Sequence, residues 1–282
     1  MRERGLVLRK GLFISASVVL AILILDGVAF SRSSPAIAAA NSLCERNLPF
    51  GAPTTNAPTT IICHTGYVSA VDDASLVPRW VAYSLTAQHS LGCLPRPDNF
   101  HVDERLLGRR HQEPQDYLDS GYDKGHQAPA EDFAWSATEM SDSFSMANMA
   151  PQLPQLNRRG WEYLEEAVRS WALTRGKLEI YVGPVLAQSR RSIGKDHVVV
   201  PVAFWKVVID PSRHEALAFI MPQAQVPKGN LGRWETSVLG VEQAAGVSLN
   251  LPAWVNRDLV PPGWKVNVAG LRKQRQVTCK AQ

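Results

Sequence analysis

The chain has 282 residues, of which 45% are hydrophobic and 20% are charged. This composition excludes a disordered or fibrous protein and provides enough apolar residues for a substantial core. The formal charge is +4 at neutral pH, but five basic and two acidic side chains fall within residues 1–40, which leaves +1 for the remainder. Net charge therefore gives no argument for a nucleic-acid partner, and a phosphate-binding surface would have to be a local patch.

The first forty residues are typical of an export signal. A basic start is followed by an uncharged run over 11–25, then by Asp26, and the small residues at 36–40 suit signal peptidase. The uncharged run is shorter than the roughly 20 residues that a membrane-spanning helix needs. The sequence thus predicts a cleaved signal peptide over 1–40 and a single domain over 41–282. The protein would be periplasmic or secreted, without stable membrane association; the alternative is an uncleaved N-terminal anchor.

The cysteines all lie in the part predicted to be exported, at Cys44, Cys63, Cys93 and Cys279. An even number of cysteines in an oxidising compartment favours two disulfides. No CxxC pair occurs, and the adjacent Cys63 and His64 suit a structural disulfide beside an incidental histidine better than a zinc site. Three pairings are possible, and the sequence does not choose among them.

Residues 51–60 are rich in Pro, Thr and Ala, which predicts a loose arm leading into the fold. Apolar runs bounded by turn residues predict strands over 80–85, 178–182, 198–209 and 216–221. Between them, apolar residues at spacings of three and four from Trp161 onward predict a helix that ends at Gly176. This order predicts an α+β domain with a largely antiparallel central sheet, in which Trp80, Trp171 and Trp205 belong to the core.

One short segment concentrates groups that carry chemistry. Asp123, Lys124, Gly125 and His126 are consecutive, and Pro129 would end the strand-like stretch. His126 can transfer a proton near neutral pH, and Asp123 or a backbone carbonyl could hold its imidazole in one tautomer. A histidine beside a glycine is also a common turn feature, so this segment alone does not establish a catalytic role.

A second group of polar residues follows. Asn148 precedes Pro151 and Gln152, and Asn157 lies eight residues before Glu165 on the predicted helix. This spacing places Asn157 and Glu165 two helical turns apart. An alternative explanation makes Asn157 a helix cap and Glu165 a solvated side chain.

Taken together and in this order, these motifs resemble the DNA/RNA non-specific endonuclease family, the ββα-metal or His-Me finger nucleases that include endonuclease G. The family pattern is Asp-Arg-Gly-His with a following proline, then Asn-x-x-Pro-Gln, then Asn-x-x-x-Trp-x-x-Leu-Glu. Here these motifs stand at 123–129, 148–152 and 157–165. The resemblance extends from 64–68 and 80–83 to 201–206, and it implies the ββα-metal nuclease fold.

The resemblance also implies a role for each matching residue. His126 would be the general base, and Asn157 would be the only direct protein ligand of Mg²⁺, with Mn²⁺ as a substitute. Mg²⁺ dehydrates reluctantly, which suits few protein ligands. Glu165 would accept hydrogen bonds from metal-bound water, and Asn148 would orient the site beside His126. For Arg158 and Arg159 two interpretations stay open: a phosphate clamp or a solvated first helical turn.

Lys124 departs from the family pattern, which has arginine at this position. Lysine keeps the positive charge but loses the bidentate fork. The expected reaction is a one-metal hydrolysis of DNA and RNA to 5′-phosphate products, with activity that falls below the ordinary histidine pKa of about 6.5. The alternatives are a binding protein that has lost catalysis, supported only by Lys124, and a phosphoesterase for another exported substrate. The sequence leaves the oligomeric state open.

Overall fold

The computed structural model describes residues 43–281, so the predicted signal peptide lies outside the described residues. Among residues 43–281, no helix combines the length and the apolar character that a membrane-spanning segment requires.

A seven-stranded antiparallel sheet forms the centre of the molecule, which confirms the predicted α+β class. The strands are β2 (Thr59–Cys63), β3 (Val68–Asp72), β4 (Pro78–Thr86), β7 (Lys177–Val185), β10 (Ala203–Asp210), β11 (Glu215–Pro222) and β12 (Glu235–Thr236). Their order across the sheet is β12-β11-β10-β7-β4-β3-β2. Three of the predicted strands fall inside β4, β7 and β11.

The prediction of one strand over 198–209 was wrong, because this stretch forms two strands. Its start, β9 (Val198–Val199), pairs with β8 (Ser192–Ile193), and only β10 joins the central sheet. Pro201 lies between them and has no N–H to donate to a ladder. The arm predicted over 51–60 also holds regular structure, since β1 (Thr54–Thr55) pairs with β13 (Val247–Ser248) and β2 begins at Thr59.

The central sheet is covered on both faces. One face packs against helix α2 (Glu162–Arg175), and its cluster includes Trp161 and Trp171. The other face packs against helix α3 (Val238–Ala245) and includes Trp80 and Trp205. The three tryptophans predicted for the core are buried, as expected. Two further helices, α1 (Ala137–Asp142) and α4 (Val268–Lys280), do not form the layers that cover the sheet.

Helix α2 matches its prediction closely. Leu164, Val168 and Trp171 are buried along one face, as their spacing requires. The helix ends before Gly176, which has φ +95°, a backbone conformation that favours glycine.

The polar motifs fall in one continuous excursion from the sheet. Strand β4 pairs with β7 up to Thr86 and Lys177, and the Ala87 amide donates to the Gly176 carbonyl over 2.6 Å. Between these points the chain forms a two-stranded ladder of β5 (Asp123–His126) and β6 (Met149–Gln152), followed by α2. This is the ββα order that the resemblance implies.

Two disulfides pair all four cysteines, Cys44 with Cys63 and Cys93 with Cys279. The first ties the N-terminal segment to the end of β2. The second joins the last turn of α4 to the segment after β4, across 186 positions of sequence.

Candidate active site

The β5–β6 ladder positions the first two side chains of the site. Because side chains alternate along a strand, Lys124 and His126 project from the same face of β5. Gly125 points the other way, where a Cβ atom would lie 2.6 Å from the Cβ of Gln152 and 2.9 Å from the Ala150 carbonyl oxygen. A larger residue at 125 would therefore push the two strands apart.

His126 lies in an aromatic environment. Its ring is 4.9 Å from that of Phe144 in an edge-on arrangement and 5.6 Å from that of Phe100. The residue is only 8% exposed, and its Nε2 atom is buried without a hydrogen-bond partner among the described residues. An unpaired buried nitrogen costs roughly 1–3 kcal/mol, a cost that a substrate or water partner at this atom would remove.

The pKa of His126 is lowered to about 3, mainly by burial and also by the positive charge of Arg96, while a hydrogen bond with the Lys124 backbone acts in the opposite direction. The imidazole is therefore neutral, and able to accept a proton, throughout the neutral and mildly acidic range. The loss of activity expected near pH 6.5 from a histidine base consequently moves to about pH 3 for this residue.

Asn148 is fully buried and supports the chain directly after His126. Its Oδ1 accepts from the Ala128 amide over 2.9 Å, and its Nδ2 donates to the carbonyls of Ala128 and Ser143, each over 2.8 Å. The Gln127 amide donates to the Asn148 backbone carbonyl over 3.0 Å. Of the two routes open from sequence, contact through the backbone or with the imidazole, the observed hydrogen bonds use the backbone.

Asn157 lies in a π-helical turn, Leu156–Trp161, that precedes α2. It is not the helix cap of the alternative explanation, since the chain is already helical at this residue. Leu156 and Trp161 anchor the turn in the core. Gly160 donates to the Val226 carbonyl over 3.0 Å, at a contact where a Cβ would lie 2.2 Å from a Val226 methyl group. Such wide turns are frequent at functional sites.

Asp123 holds Asn157 in place. Its Oδ2 accepts from Asn157 Nδ2 and from Arg158 Nε, each over 2.9 Å, and its Oδ1 accepts from Arg158 over 2.6 Å. Asp123 therefore binds Asn157 and Arg158 and not the His126 imidazole. The imidazole forms its hydrogen bond with the backbone of Lys124 instead. Arg158 remains 70% exposed despite this ion pair.

Glu165 is placed by α2, two turns after Asn157. Its pKa is raised to about 7, because burial outweighs the opposing positive charges of Lys206 and Arg169. Lys206 is fully buried on β10, and its Nζ has no hydrogen-bond partner among the described residues. Arg169 forms a buried ion pair with Asp132 over 2.8 Å, which fixes α2 to the segment that follows His126.

These residues meet in one cleft of about 620 Å³. Its lining includes six of the positions singled out from sequence, namely Asp123, Lys124, His126, Asn157, Arg158 and Glu165. Asn148 lies behind the lining, and Arg159 is exposed outside it. The cleft therefore combines a neutral imidazole, side-chain oxygens that could bind a metal ion, and cationic groups. These are the groups that hydrolysis of a phosphate ester requires.

Comparison with known proteins agrees with this geometry. The family model described as DNA/RNA non-specific endonuclease matches residues 45–256. The chain belongs to this family.

Individual relatives support the assignment. Human mitochondrial endonuclease G is 32% identical over 198 residues, which cover 64% of this chain and 66% of that protein. A nuclease of Nostoc sp. is 35% identical over 144 residues, 51% of this chain and 52% of that one. The crystal structure of the EndoG/EndoGI complex matches with a TM-score of 0.67 at 26% identity, covering 73% of this chain and 90% of that chain. This chain thus spans just under two thirds of the length of the human relative.

Sequence reasoning missed several residues of the cleft. Arg96, Glu131, Arg169 and Arg275 line it, yet they come from four separate parts of the chain without a shared spacing. Lys206 offered a signal, since it interrupts the apolar run 203–209 of β10, and a buried lysine needs a compensating charge. Its partner, Glu165, could only be identified once the helix was packed on the sheet.

Proposed function

We propose that the protein is an exported, Mg²⁺-dependent endonuclease that hydrolyses DNA and RNA to 5′-phosphate products, with His126 as general base. The observation that carries this proposal is the buried, unpaired Nε2 of a neutral His126 in the same cleft as an Asn157 that Asp123 orients. Among residues 43–281, no group competes for Nε2 of His126 and no donor competes for the side-chain oxygen of Asn157, so both atoms are available to ligands that enter the cleft.

The donor set fits Mg²⁺. Because Nδ2 of Asn157 donates to Asp123, the amide oxygen is the end available for a cation. This oxygen and the carboxylate of Glu165 are hard ligands of the type that Mg²⁺ and Mn²⁺ prefer. Asn157 would hold the ion directly, and Glu165 would accept hydrogen bonds from its water molecules. When bound, Mg²⁺ would stabilise the charge that develops on the phosphate and on the leaving 3′-oxygen.

The protein side chains would carry the remaining steps. His126 Nε2 takes a proton from a water molecule while the oxygen of that water attacks phosphorus. The bond between phosphorus and the 3′-oxygen then breaks. One fragment keeps a 5′-phosphate, and the other gains a 3′-hydroxyl once its oxygen is protonated. The ammonium of Lys124 projects from the same strand face as His126 and offsets negative charge on the phosphate.

Substrate breadth follows from the chemistry. Attack by water needs no 2′-hydroxyl, so DNA and RNA are equally suitable, and contacts to phosphate carry no sequence information. Export is proposed from residues 1–40, and the two disulfides within residues 43–281 suit a periplasmic or secreted location.

The test is cleavage of supercoiled plasmid and of single-stranded RNA by protein purified after export. We expect both to be cut with Mg²⁺ or Mn²⁺, neither to be cut in EDTA, and His126→Ala to be inactive while folded. His111→Ala is the matched control, since His111 does not line the cleft. A folded wild-type protein that binds nucleic acid but cuts neither substrate would overturn the proposal in favour of a binding protein.

A further inference from the structure

Helix α4 contributes to the cleft although it lies beyond the part of the chain that the family model matches, residues 45–256. Arg275 lines the cleft; its Nε donates to the Gly92 carbonyl over 2.7 Å, and its guanidinium forms an ion pair with Glu131. One turn earlier, Arg272 Nε donates to Glu166 over 2.9 Å. Two basic residues of α4 therefore contact two acidic residues of the cleft wall.

The helix is fixed at both ends. At its start, the Asn267 side chain caps the helix by accepting from the Gly270 amide over 2.9 Å, and the Asn267 amide donates to Ser170 of α2 over 3.3 Å. At its end, Cys279 forms the disulfide with Cys93. Leu271, between these points, is buried. Residues 272 and 275 are thereby held against the site.

The need for these cations follows from the charges of the cleft. Five carboxylates line it: Asp123, Glu131, Glu162, Glu165 and Glu166. Unpaired, they would repel a phosphodiester chain. Asp123 is paired with Arg158 and Glu162 with Lys228. The cations that pair with Glu131 and Glu166 are Arg275 and Arg272 of α4. Without this helix, the two carboxylates would be unpaired and would repel a polyanion.

We infer that α4 is part of the nucleic-acid-binding surface, with Arg272 and Arg275 as substrate-positioning residues that neutralise the wall and receive backbone phosphates flanking the scissile one. The inference rests on the proposed function for the nature of the substrate. Arg272 is 62% exposed and Arg275 28% exposed, so both guanidinium groups can reach a phosphate while paired. Recognition is of the backbone, common to DNA and RNA.

The experiment compares the exported wild-type protein with Arg272→Ala, Arg275→Ala and the double variant. Lys273→Ala is the matched control, because Lys273 is an exposed cation on the same helix that forms no ion pair with the acidic residues of the cleft wall, unlike Arg272 and Arg275. Each protein is assayed on a 30-base-pair duplex and on bis(p-nitrophenyl) phosphate, which has no flanking phosphates for α4 to receive. Melting temperatures verify that every variant is folded.

For the double variant we expect the KM for the duplex to rise on the order of tenfold with kcat within about twofold, since the affected contacts lie away from the reacting atoms. The slope of log(kcat/KM) against log[salt] should become shallower by about 0.9 for each phosphate that is no longer neutralised. Activity on the small diester should not change. The double variant Arg272→Lys/Arg275→Lys, which keeps both charges, should recover most of the affinity, and Cys93→Ser/Cys279→Ser should raise the KM as well.

An unchanged KM in the double alanine variant, or an equal change in Lys273→Ala, would overturn the inference. Equal loss on the small diester would also overturn it, because α4 would then only support the fold of the site. Binding of a fluorescent duplex in EDTA gives a second readout that needs no cleavage. A wild-type protein that binds but does not cut would refute the proposed function alone, whereas equal binding by wild-type and double variant would refute this inference alone.

Discussion

The side-chain amide of Asn157 donates to Oδ2 of Asp123 over 2.9 Å, which determines the end of the amide that faces the cleft. Without this acceptor the amide could turn and present its NH₂ group, which cannot bind a cation. Asp123→Ala should therefore raise the Mg²⁺ concentration for half-maximal activity by about 10- to 100-fold, while saturating Mg²⁺ restores most of kcat.

An Mg²⁺ titration of plasmid cleavage checks this prediction. Asp123→Asn is the control, because its amide oxygen can still accept from Asn157 although the ion pair with Arg158 is lost. A loss of activity in Asp123→Ala that no Mg²⁺ concentration restores would show that Asp123 acts elsewhere than on the metal ligand.

The pH dependence of kcat/KM should reflect the titration of Glu165 and not that of His126. Burial raises the pKa of Glu165 to about 7, so its carboxylate is present above that pH and is lost as the pH falls through it. His126, with a pKa of about 3, stays neutral over the same range. We expect kcat/KM to fall below about pH 7, and the midpoint to shift to lower pH as Mg²⁺ rises, because a nearby cation favours the carboxylate.

Glu165→Gln separates the two residues. This variant should be about 10- to 100-fold less active, but its remaining activity should be nearly constant from pH 7 to pH 5. A profile measured between pH 4 and pH 9 checks this. If the acid limb near pH 7 persists in Glu165→Gln, another group must cause it.

Lys206 should act on catalysis through Glu165. Its ammonium is buried, lies 4.9 Å from the centre of the Trp161 ring, and lowers the pKa of Glu165. Lys206→Met should raise the pH midpoint of activity, because Glu165 loses a positive charge that favours its carboxylate. It should also destabilise the fold where Glu165 is ionised, since the buried carboxylate is left without this partner. In the Glu165→Gln background the same substitution should leave the profile unchanged, a double-mutant test of coupling.

Lys124 stands where the family has arginine, and its Nζ lies 5.0 Å from the centre of the Phe100 ring. Lys124→Ala should reduce kcat on the order of 100-fold, as is typical for loss of a group that stabilises transition-state charge. Lys124→Arg should keep activity within about an order of magnitude of wild type, because the charge remains. Steady-state kinetics on the duplex check both values of kcat. An equal loss of kcat in both variants would mean that the shape of the side chain matters more than its charge.

The π-helical turn gives a prediction about stability. Gly160→Ala places a Cβ 2.2 Å from a Val226 methyl group and should lower the free energy of unfolding by about 1–3 kcal/mol, as overpacking typically does. Gly232→Ala is the matched control, since the nearest atom to its added Cβ is 3.9 Å away. Its effect should stay within about 0.5 kcal/mol. Urea unfolding measures both, and equal stabilities would show that the turn adapts without cost.

The sequence was sufficient to predict an element where its local pattern is compatible with only one secondary structure. The apolar spacing from Trp161 and the glycine at 176 determine helix α2, and apolar runs determine the strands of the sheet. The prediction was wrong over 198–209, where an apolar run competes with the missing N–H of Pro201. At Asn157, the sequence did not distinguish a helix cap from a residue inside a wide helical turn.

The rest of the cleft could not be read from the chain because it depends on contacts between distant segments. Arg169 meets Asp132, Lys206 meets Glu165, and Arg275 meets Glu131 only after the helices pack on the sheet. Likewise, spacing alone cannot tell which cysteine lies beside which, so the link between Cys93 and Cys279 required the fold.

The hydrogen bond between Ala87 and Gly176 has a topological consequence. The chain leaves the central sheet at β4 and returns to it at the adjacent, antiparallel β7, so the entire stretch between 87 and 176 is an insertion into what would otherwise be an ordinary β-hairpin. A short turn could join the two strands without changing their register. Helix α2, which covers one face of the sheet, belongs to this insertion, so the segment that carries the cleft also completes the core of the sheet.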